Sequence, residues 1–197
     1  MAKMMGPRFK QSRRLGLNVC GHPKAMNRAG RGTARSDKKL TEYGKQLLEK
    51  QRLRAYYGVM EKQFYRYVLD AQKAEEETGP ALVKRLEVRL DNLTYRMGFA
   101  SSIRQARQMV THGHIHVNGK RINIPSYQVQ VGDVISLSDR GRKVDMFKEN
   151  YETNFVNAYP YITKEKNNRA TLSSEPARED IPIEIEDQLI VEFYSGK

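Results

Sequence analysis

The sequence predicts an α+β protein in three parts: an extended basic N-terminal arm, a small helical domain, and a module in which helices are followed by β-hairpins. Three observations carry that prediction. The first sixty of 197 residues hold 15 Lys+Arg against three acids (Asp37, Glu42, Glu49), which equals the whole formal net charge of +12, so the rest of the chain balances to zero. From Thr41 to Gly113 apolar residues recur at helical spacing. After Gly113 the period changes to two.

Residues 1–36 mix Lys and Arg with Gly, Pro, Ser and Asn and show no apolar period, which predicts an arm that orders only on its partner. Thr41 followed by an acid is an N-cap signal, and Leu40, Leu47, Leu48, Leu53, Tyr56 and Tyr57 lead to a stop at Gly58. Val59, Met60, Phe64, Tyr67, Val68 and Ala71 continue at helical spacing on a second helix, giving a hairpin-like pair. The run Glu75, Glu76, Glu77, Thr78, Gly79, Pro80 ends that helix, starts the next, and marks the expected hinge. Leu82, Leu86, Leu90, Leu93 and Met97 then form one apolar stripe on one expected helix, closed by Gly98.

Ser101 or Ser102 caps a short helix whose Ile103, Ala106 and Val110 face inward. Ile115 and Val117 begin a hairpin with a type I′ turn at Asn118–Gly119 and a return through Ile122 and Ile124. Val129, Val131, Val134, Ile135 and Leu137 around Gly132–Asp133 suggest a second hairpin. From 138 to 180 no clean period appears, and Ile183, Ile185, Leu189, Val191 and Phe193 predict a short terminal element. The expected divisions are therefore 1–40, basic arm; 41–84, helical domain; 85–145, helix-and-hairpin module; and 146–197, a segment packing back on the helical domain.

A strongly basic chain points to a polyanionic partner, nucleic acid or an anionic membrane surface. No stretch approaches the roughly 18 apolar residues of a membrane span, and the basic start leads into no apolar segment. Gly6, Pro7, Gly16, Gly21 and Pro23 interrupt the amphipathic helix that a transit peptide requires. With Cys20 the single cysteine, no intrachain disulfide is available, which fits a reducing cytosol. Arg104, Arg107, Gln108 and Thr111 fall at i, i+3, i+4 and i+7, so they share one helix face, with His112, His114, Asn118, Gly119 and Lys120 close behind. Such donors suit phosphate contacts that position an RNA.

The segment Arg85–Leu137, containing RLDNLTYRMGFASSIRQARQMVTHGHIHVNGKRINIPSYQVQVGDVIS, resembles the S-four-type RNA-binding module. That module also occurs in some pseudouridine synthases and tyrosyl-tRNA synthetases, so alone it implies RNA binding only. The flanks TEYGKQLLEKQRLRAYYGVMEKQF and PAREDIPIEIEDQLIVEFYSGK are similar to the bacterial small-subunit ribosomal protein S-four family over nearly the whole chain. The resemblance implies small-subunit ribosomal RNA (rRNA) as partner, with neighbouring small-subunit ribosomal proteins and messenger RNA (mRNA) where it enters the ribosome. It further implies a single copy per cytoplasmic ribosome, early action in subunit assembly, an influence on decoding accuracy, and no membrane. Some members also repress translation of their own mRNA.

The candidate RNA contacts are then Lys3, Arg8, Lys10, Arg13, Arg14, Arg28, Arg31 and Arg35 on the arm and Lys45, Lys50, Arg52 and Arg54 on the first long helix. Arg104, Arg107, Gln108, Thr111, His112, His114, Asn118, Gly119 and Lys120 complete them in the module. Some family members hold zinc with four cysteines in the arm. Here Cys20 stands with only His22 beside it, so neither a metal nor a cofactor is expected. His114 and His116, two residues apart, make too weak a ligand set. Gly30, Arg31 and Gly32 resemble part of a dinucleotide fingerprint but lack a preceding strand and a third glycine. Tyr43, Tyr56, Tyr57, Tyr65 and Tyr67 read as core or helix-contact residues rather than base-stacking platforms.

Arg89, Leu90 and Asp91 spell a tripeptide resembling the catalytic aspartate motif of pseudouridine synthases, yet no large catalytic domain accompanies it. Asp91 is expected to be a solvated or capping acid, and the chain no enzyme. An RNA-modifying enzyme would turn over a uridine substrate. A free-standing RNA chaperone would wash off small subunits in high salt.

Overall fold

Leu15, Leu17 and Val19 give the basic arm an apolar side, and the helix after Thr41 offers Leu48, Ala55 and Tyr56 to cover it. The computed structural model describes residues 6–27, 40–153 and 159–195, so Lys3, Arg28, Gly30, Arg31, Gly32 and Arg35 lie outside the described residues. Within them the arm is not extended, which corrects the expectation: α1 (Arg8–Leu15) and a 3-10 turn at Pro23–Met26 form, with the Phe9 and His22 rings 4.9 Å apart. Arg52 Nε donates to the Leu15 carbonyl at 2.8 Å and holds the C-terminal end of α1. The arm has too few apolar residues to show a period by itself. Its cover comes from residues about forty positions away.

The chain divides into two units, residues 1–82 with 183–197, and residues 83–182. In the first, Thr41 caps α2 (Glu42–Tyr56) by accepting from Gly44 N at 3.1 Å, and α3 (Glu61–Ala71) buries Phe64, Val68 and Ala71. α4 (Thr78–Glu87) begins in this unit, and the terminal α9 (Asp187–Ser195) lies along α2. Gln46 Nε2 reaches Glu192 at 3.1 Å, and Tyr194 donates to Glu61 at 2.9 Å while its ring contacts Phe64 and Tyr65. Tyr57 is buried, whereas Tyr43 and Tyr65 stay exposed with one ring face against Phe193 and Tyr194 respectively.

In the second unit the expected single helix over Leu82–Met97 is two. α4 ends at Glu87, Arg89 is extended (ψ 139°), and α5 (Leu90–Arg96) starts afresh. The break is fixed from outside the helix. Leu90 N and Asp91 N donate to the carbonyls of Tyr127 and Pro125 at 2.9 and 3.1 Å, and Arg89 bridges Gln128. An apolar stripe at helical spacing cannot reveal such a break, because Leu82, Leu86, Leu90, Leu93 and Met97 are all buried on either side of it. α6 (Ile103–Thr111) packs on α5, capped by Ser102.

The strands β1 (Ile115–Val117), β2 (Lys120–Arg121), β3 (Val134–Leu137), β4 (Ile162–Glu165) and β5 (Arg169–Leu172) form one antiparallel sheet in the order β2-β1-β3-β5-β4. The β1–β2 turn has φ 51° at Asn118 and 76° at Gly119, both positive as a type I′ turn needs, which explains the asparagine–glycine pair. The expected second hairpin about Gly132–Asp133 does not form. Asp133 closes a tight turn with Gln130, and β3 pairs with β1 and β5 instead.

The expected docking of 146–197 on the helical domain is also corrected. Only the part from Ile183 joins that unit, whereas α7 (Asp139–Arg142), α8 (Asp145–Thr153) and the β4–β5 hairpin belong to the second. Phe147, Tyr151, Tyr161, Ile162, Ala170 and Leu172 share one core with Leu93, Met97, Phe99, Val110, Ile115 and Ile135. The Phe99 and Tyr151 rings stack at 4.7 Å, and the Tyr151 hydroxyl donates to the carbonyls of Glu165 and Arg169.

Candidate nucleic-acid interface

α6 turns Ala106, Met109 and Val110 inward and leaves Arg104 and Gln108 on the surface. Arg107 differs from its neighbours. Its side chain is 15% exposed, and its guanidinium stands 4.0 Å from the Asp91 carboxylate. That carboxylate is buried, which corrects the solvated half of the expected solvated or capping acid, and accepts from Arg89 Nε and a terminal guanidinium nitrogen at 3.0 and 2.7 Å and from Asn92 N at 3.0 Å. Arg89 is itself fully buried. A buried arginine requires a carboxylate. Asp91 supplies it, and so positions Arg107 at the edge of the face.

The Thr111 hydroxyl donates back to the carbonyls of Arg107 and Gln108, both at 3.0 Å, so it serves the helix. His112 follows as the exposed C-cap, and Gly113 turns the chain at φ 73°. A side chain at Gly113 would collide with the Arg121 guanidinium, which lies over this turn. His114 packs its ring on Phe147 at 5.3 Å, with Nδ1 buried. Burial, then the charges of His112, Arg140 and Arg121, push the His114 pKa below the usual imidazole value and favour its neutral form.

Asn118 is committed to the fold: its amide donates to Asp133 at 2.7 Å and its side-chain oxygen accepts from Val134 N at 2.9 Å. Gly119 supplies the turn and Lys120 is exposed beside it. Arg121 and Arg140 were missed as candidates. Their signal was a basic residue just past the turn and another after Ser138, whose N–H donates to the His114 carbonyl at 2.8 Å.

On the first unit Arg8, Lys10 and Arg14 are exposed on α1 and Arg13 is half-buried. The α2 cations are drawn into ion pairs: Lys45 with Glu42 at 2.8 Å, Arg52 with Glu49 at 2.5 Å, and Arg54 with Glu61 at 3.0 Å. Lys50 is a structural cation rather than a surface one. It is buried 2.6 Å from Glu61, with Nζ 4.5 Å from the centre of the Phe193 ring. Helical spacing along α2 did not show that α9 would cover it.

The family model described as the S4 domain matches residues 88–135, and the one described as the Ribosomal protein S4/S9 N-terminal domain matches residues 3–87. Those two matches define the class, a protein that couples an S4 domain to the N-terminal domain of ribosomal S4/S9 proteins. The chain is 64% identical over 197 residues to the small ribosomal subunit protein uS4 of Finegoldia magna, covering 99% of this chain and 100% of that protein. It is 50% identical over 196 residues to uS4B of Clostridium acetobutylicum (99% of each) and 46% identical over 200 residues to uS4 of Geobacillus sp. (99% and 100%). This chain belongs to the uS4 family of small ribosomal subunit proteins.

Proposed function

We propose that the chain is a structural constituent of the small ribosomal subunit that binds its rRNA in the cytoplasm, and that it acts early in assembly of the subunit and influences decoding accuracy. Membership of a ribosomal protein family with an S4 domain supports the rRNA and ribosome parts of this reading. The observation that carries the contact surface is the edge formed by Arg104, Gln108, His112, Lys120 and Arg121, exposed side chains gathered by α6 and the β1–β2 turn around a fixed Arg107. Rigid backing matters here, because recognition of folded RNA rests on shape and phosphate contacts. The exposed cations of α1 add electrostatic affinity.

The acids Glu184, Glu186, Asp187 and Glu192 about α9 suit a basic neighbouring ribosomal protein, and one copy per subunit with contact to entering mRNA completes the proposal. The family is one of ribosomal structural proteins. A catalytic role is not proposed, since Asp91 is sealed beneath two arginines at 1% side-chain exposure.

Binding of purified small-subunit rRNA, followed by footprinting, tests the reading. Arg104→Ala with Lys120→Ala should weaken binding at least tenfold and reduce the slope of log affinity against log salt by roughly 1.4–1.8, about 0.7–0.9 for each phosphate no longer neutralised. Unchanged affinity and slope would remove this edge from the interface. Absence of specific binding by the wild-type chain would remove the function.

A further inference from the structure

The register of the five strands sets four residues in one line across the sheet. Arg121 stands opposite His116, His116 opposite Ser136, and Ser136 opposite Arg169. Residues directly opposite in antiparallel strands project from the same face, so these side chains form a transverse row. The next line, Val117, Ile135 and Ala170, projects from the other face and is buried in the core. The Arg121–Arg169 row is therefore on the face turned away from that core. Arg121 and Arg169 are both exposed, and neither forms an ion pair among the described residues. Three strand steps at about 4.8 Å put their backbones roughly 14 Å apart. Between them sit the half-buried His116 imidazole and the short, buried Ser136, with no carboxylate. Glu165, opposite Arg169 on the edge strand, ends the line, and its carboxylate accepts from the Thr171 hydroxyl.

We infer that this sheet face is a second RNA-binding surface, on which a phosphodiester backbone crosses the strands from Arg121 to Arg169. The inference rests on the proposed rRNA-binding function and adds to it a surface that shares Arg121 with the α6 edge and extends from there to Arg169. The S4 domain match ends at residue 135, whereas Ser136 and Arg169 lie beyond it, so half the row is supplied by chain outside that module. Two guanidiniums flanking a low saddle of imidazole and hydroxyl suit phosphate oxygens and ribose hydroxyls. Lys166 is exposed at the tip of the β4–β5 hairpin, where Asn167 and Asn168 turn the chain at φ 63° and 56°, and it extends the same cationic margin. An acidic protein neighbour is the competing occupant, which the flat spacing of the cations along a backbone-sized span favours less.

The test measures binding of small-subunit rRNA to the full chain across a salt series. The proteins are wild type, the α6-edge variant Arg104→Ala/Lys120→Ala, and the sheet variants Arg169→Gln, Arg121→Gln/Arg169→Gln and Arg169→Lys. Circular dichroism and urea unfolding confirm that each variant is folded. The double glutamine variant should bind at least tenfold more weakly with a salt slope smaller by roughly 1.4–1.8, and Arg169→Gln alone should remove about half of that slope change. Arg169→Lys, which keeps the charge, should retain the wild-type slope and keep the variant folded if glutamine does not. In Arg169→Gln a hydroxyl-radical footprint should lose a patch distinct from the one missing in the α6-edge variant. Wild-type affinity, slope and footprint in Arg169→Gln and in the double variant, with the α6-edge variant still weakened, would overturn the sheet surface and leave the proposed function intact. Unaltered RNA binding with reduced affinity for an acidic ribosomal protein would assign the face to that partner and equally overturn the inference. No specific binding by wild type would overturn both.

Discussion

Replacing Asp91 by alanine should unfold residues 83–182 more readily than any surface change in that unit. Asp91 and Arg89 are both fully buried, joined by two hydrogen bonds of 3.0 and 2.7 Å, with the Arg107 guanidinium at 4.0 Å. Removing the carboxylate leaves the Arg89 charge in the interior without its counter-ion, a class of change that costs about 3–5 kcal/mol. Typical domains are stable by only about 5–15 kcal/mol. For a unit of this size each kcal/mol lowers the melting temperature by roughly 4–8 °C, so the expected drop is roughly 12–40 °C. Calorimetry and urea titration measure it. The double variant Arg89→Met/Asp91→Leu removes both charges and should recover most of the loss, because well-packed apolar residues often match a buried ion pair. A loss below about 1 kcal/mol for Asp91→Ala, or a double variant no more stable than the single, would refute the reasoning about a buried charge.

Two further predictions concern pH. Burial acts to raise the Glu61 pKa, but hydrogen bonds from Lys50 and Tyr194 and the charges of Lys50 and Arg54 outweigh it and hold the carboxyl below its ordinary 4.5. A depressed carboxylate stabilises the fold above 4.5, and that contribution disappears as pH falls through the lower folded value; acid titration of helicity in α2, α3 and α9 should show this, and Glu61→Gln should flatten it. Burial, set against the hydrogen bond to Glu165, pushes Tyr151 from 10.0 up to about 12. Its stabilising contribution is complete below pH 10 and is lost as pH rises toward 12, so Tyr151→Phe should be less stable at neutral pH and lose less between pH 10 and 12 in urea melts.

Several local features were legible in the residues because their causes are local. Thr41 and Ser102 cap helices with their own side chains, Asn118–Gly119 dictates a type I′ turn, and Ala106 with Val110 marks the inner face of α6. Arg104 and Gln108 on the opposite face could be read from the helical period alone. Arg107 has the same spacing but is held at the edge by a carboxylate sixteen positions earlier, and Lys50 shares its helix with surface cations yet is covered by Phe193 and Tyr194. Neither fate is visible in a periodicity, which records which face a residue takes and not what arrives there.

The sequence by itself determined the family, the placement of its positive charge in the first sixty residues, the order of helices before hairpin, and the exposed Arg104 of α6. Only the tertiary structure decided that Leu15 and Val19 fold the arm's start against α2, that the stripe from Leu82 to Met97 breaks at Arg89, and that β5 pairs with β3. Each of those depends on partners about forty residues away along the chain. A strand as short as Arg169–Leu172 has no stability or clear pattern until β3 offers its open edge, and that pairing alone brings Arg169 into line with Arg121.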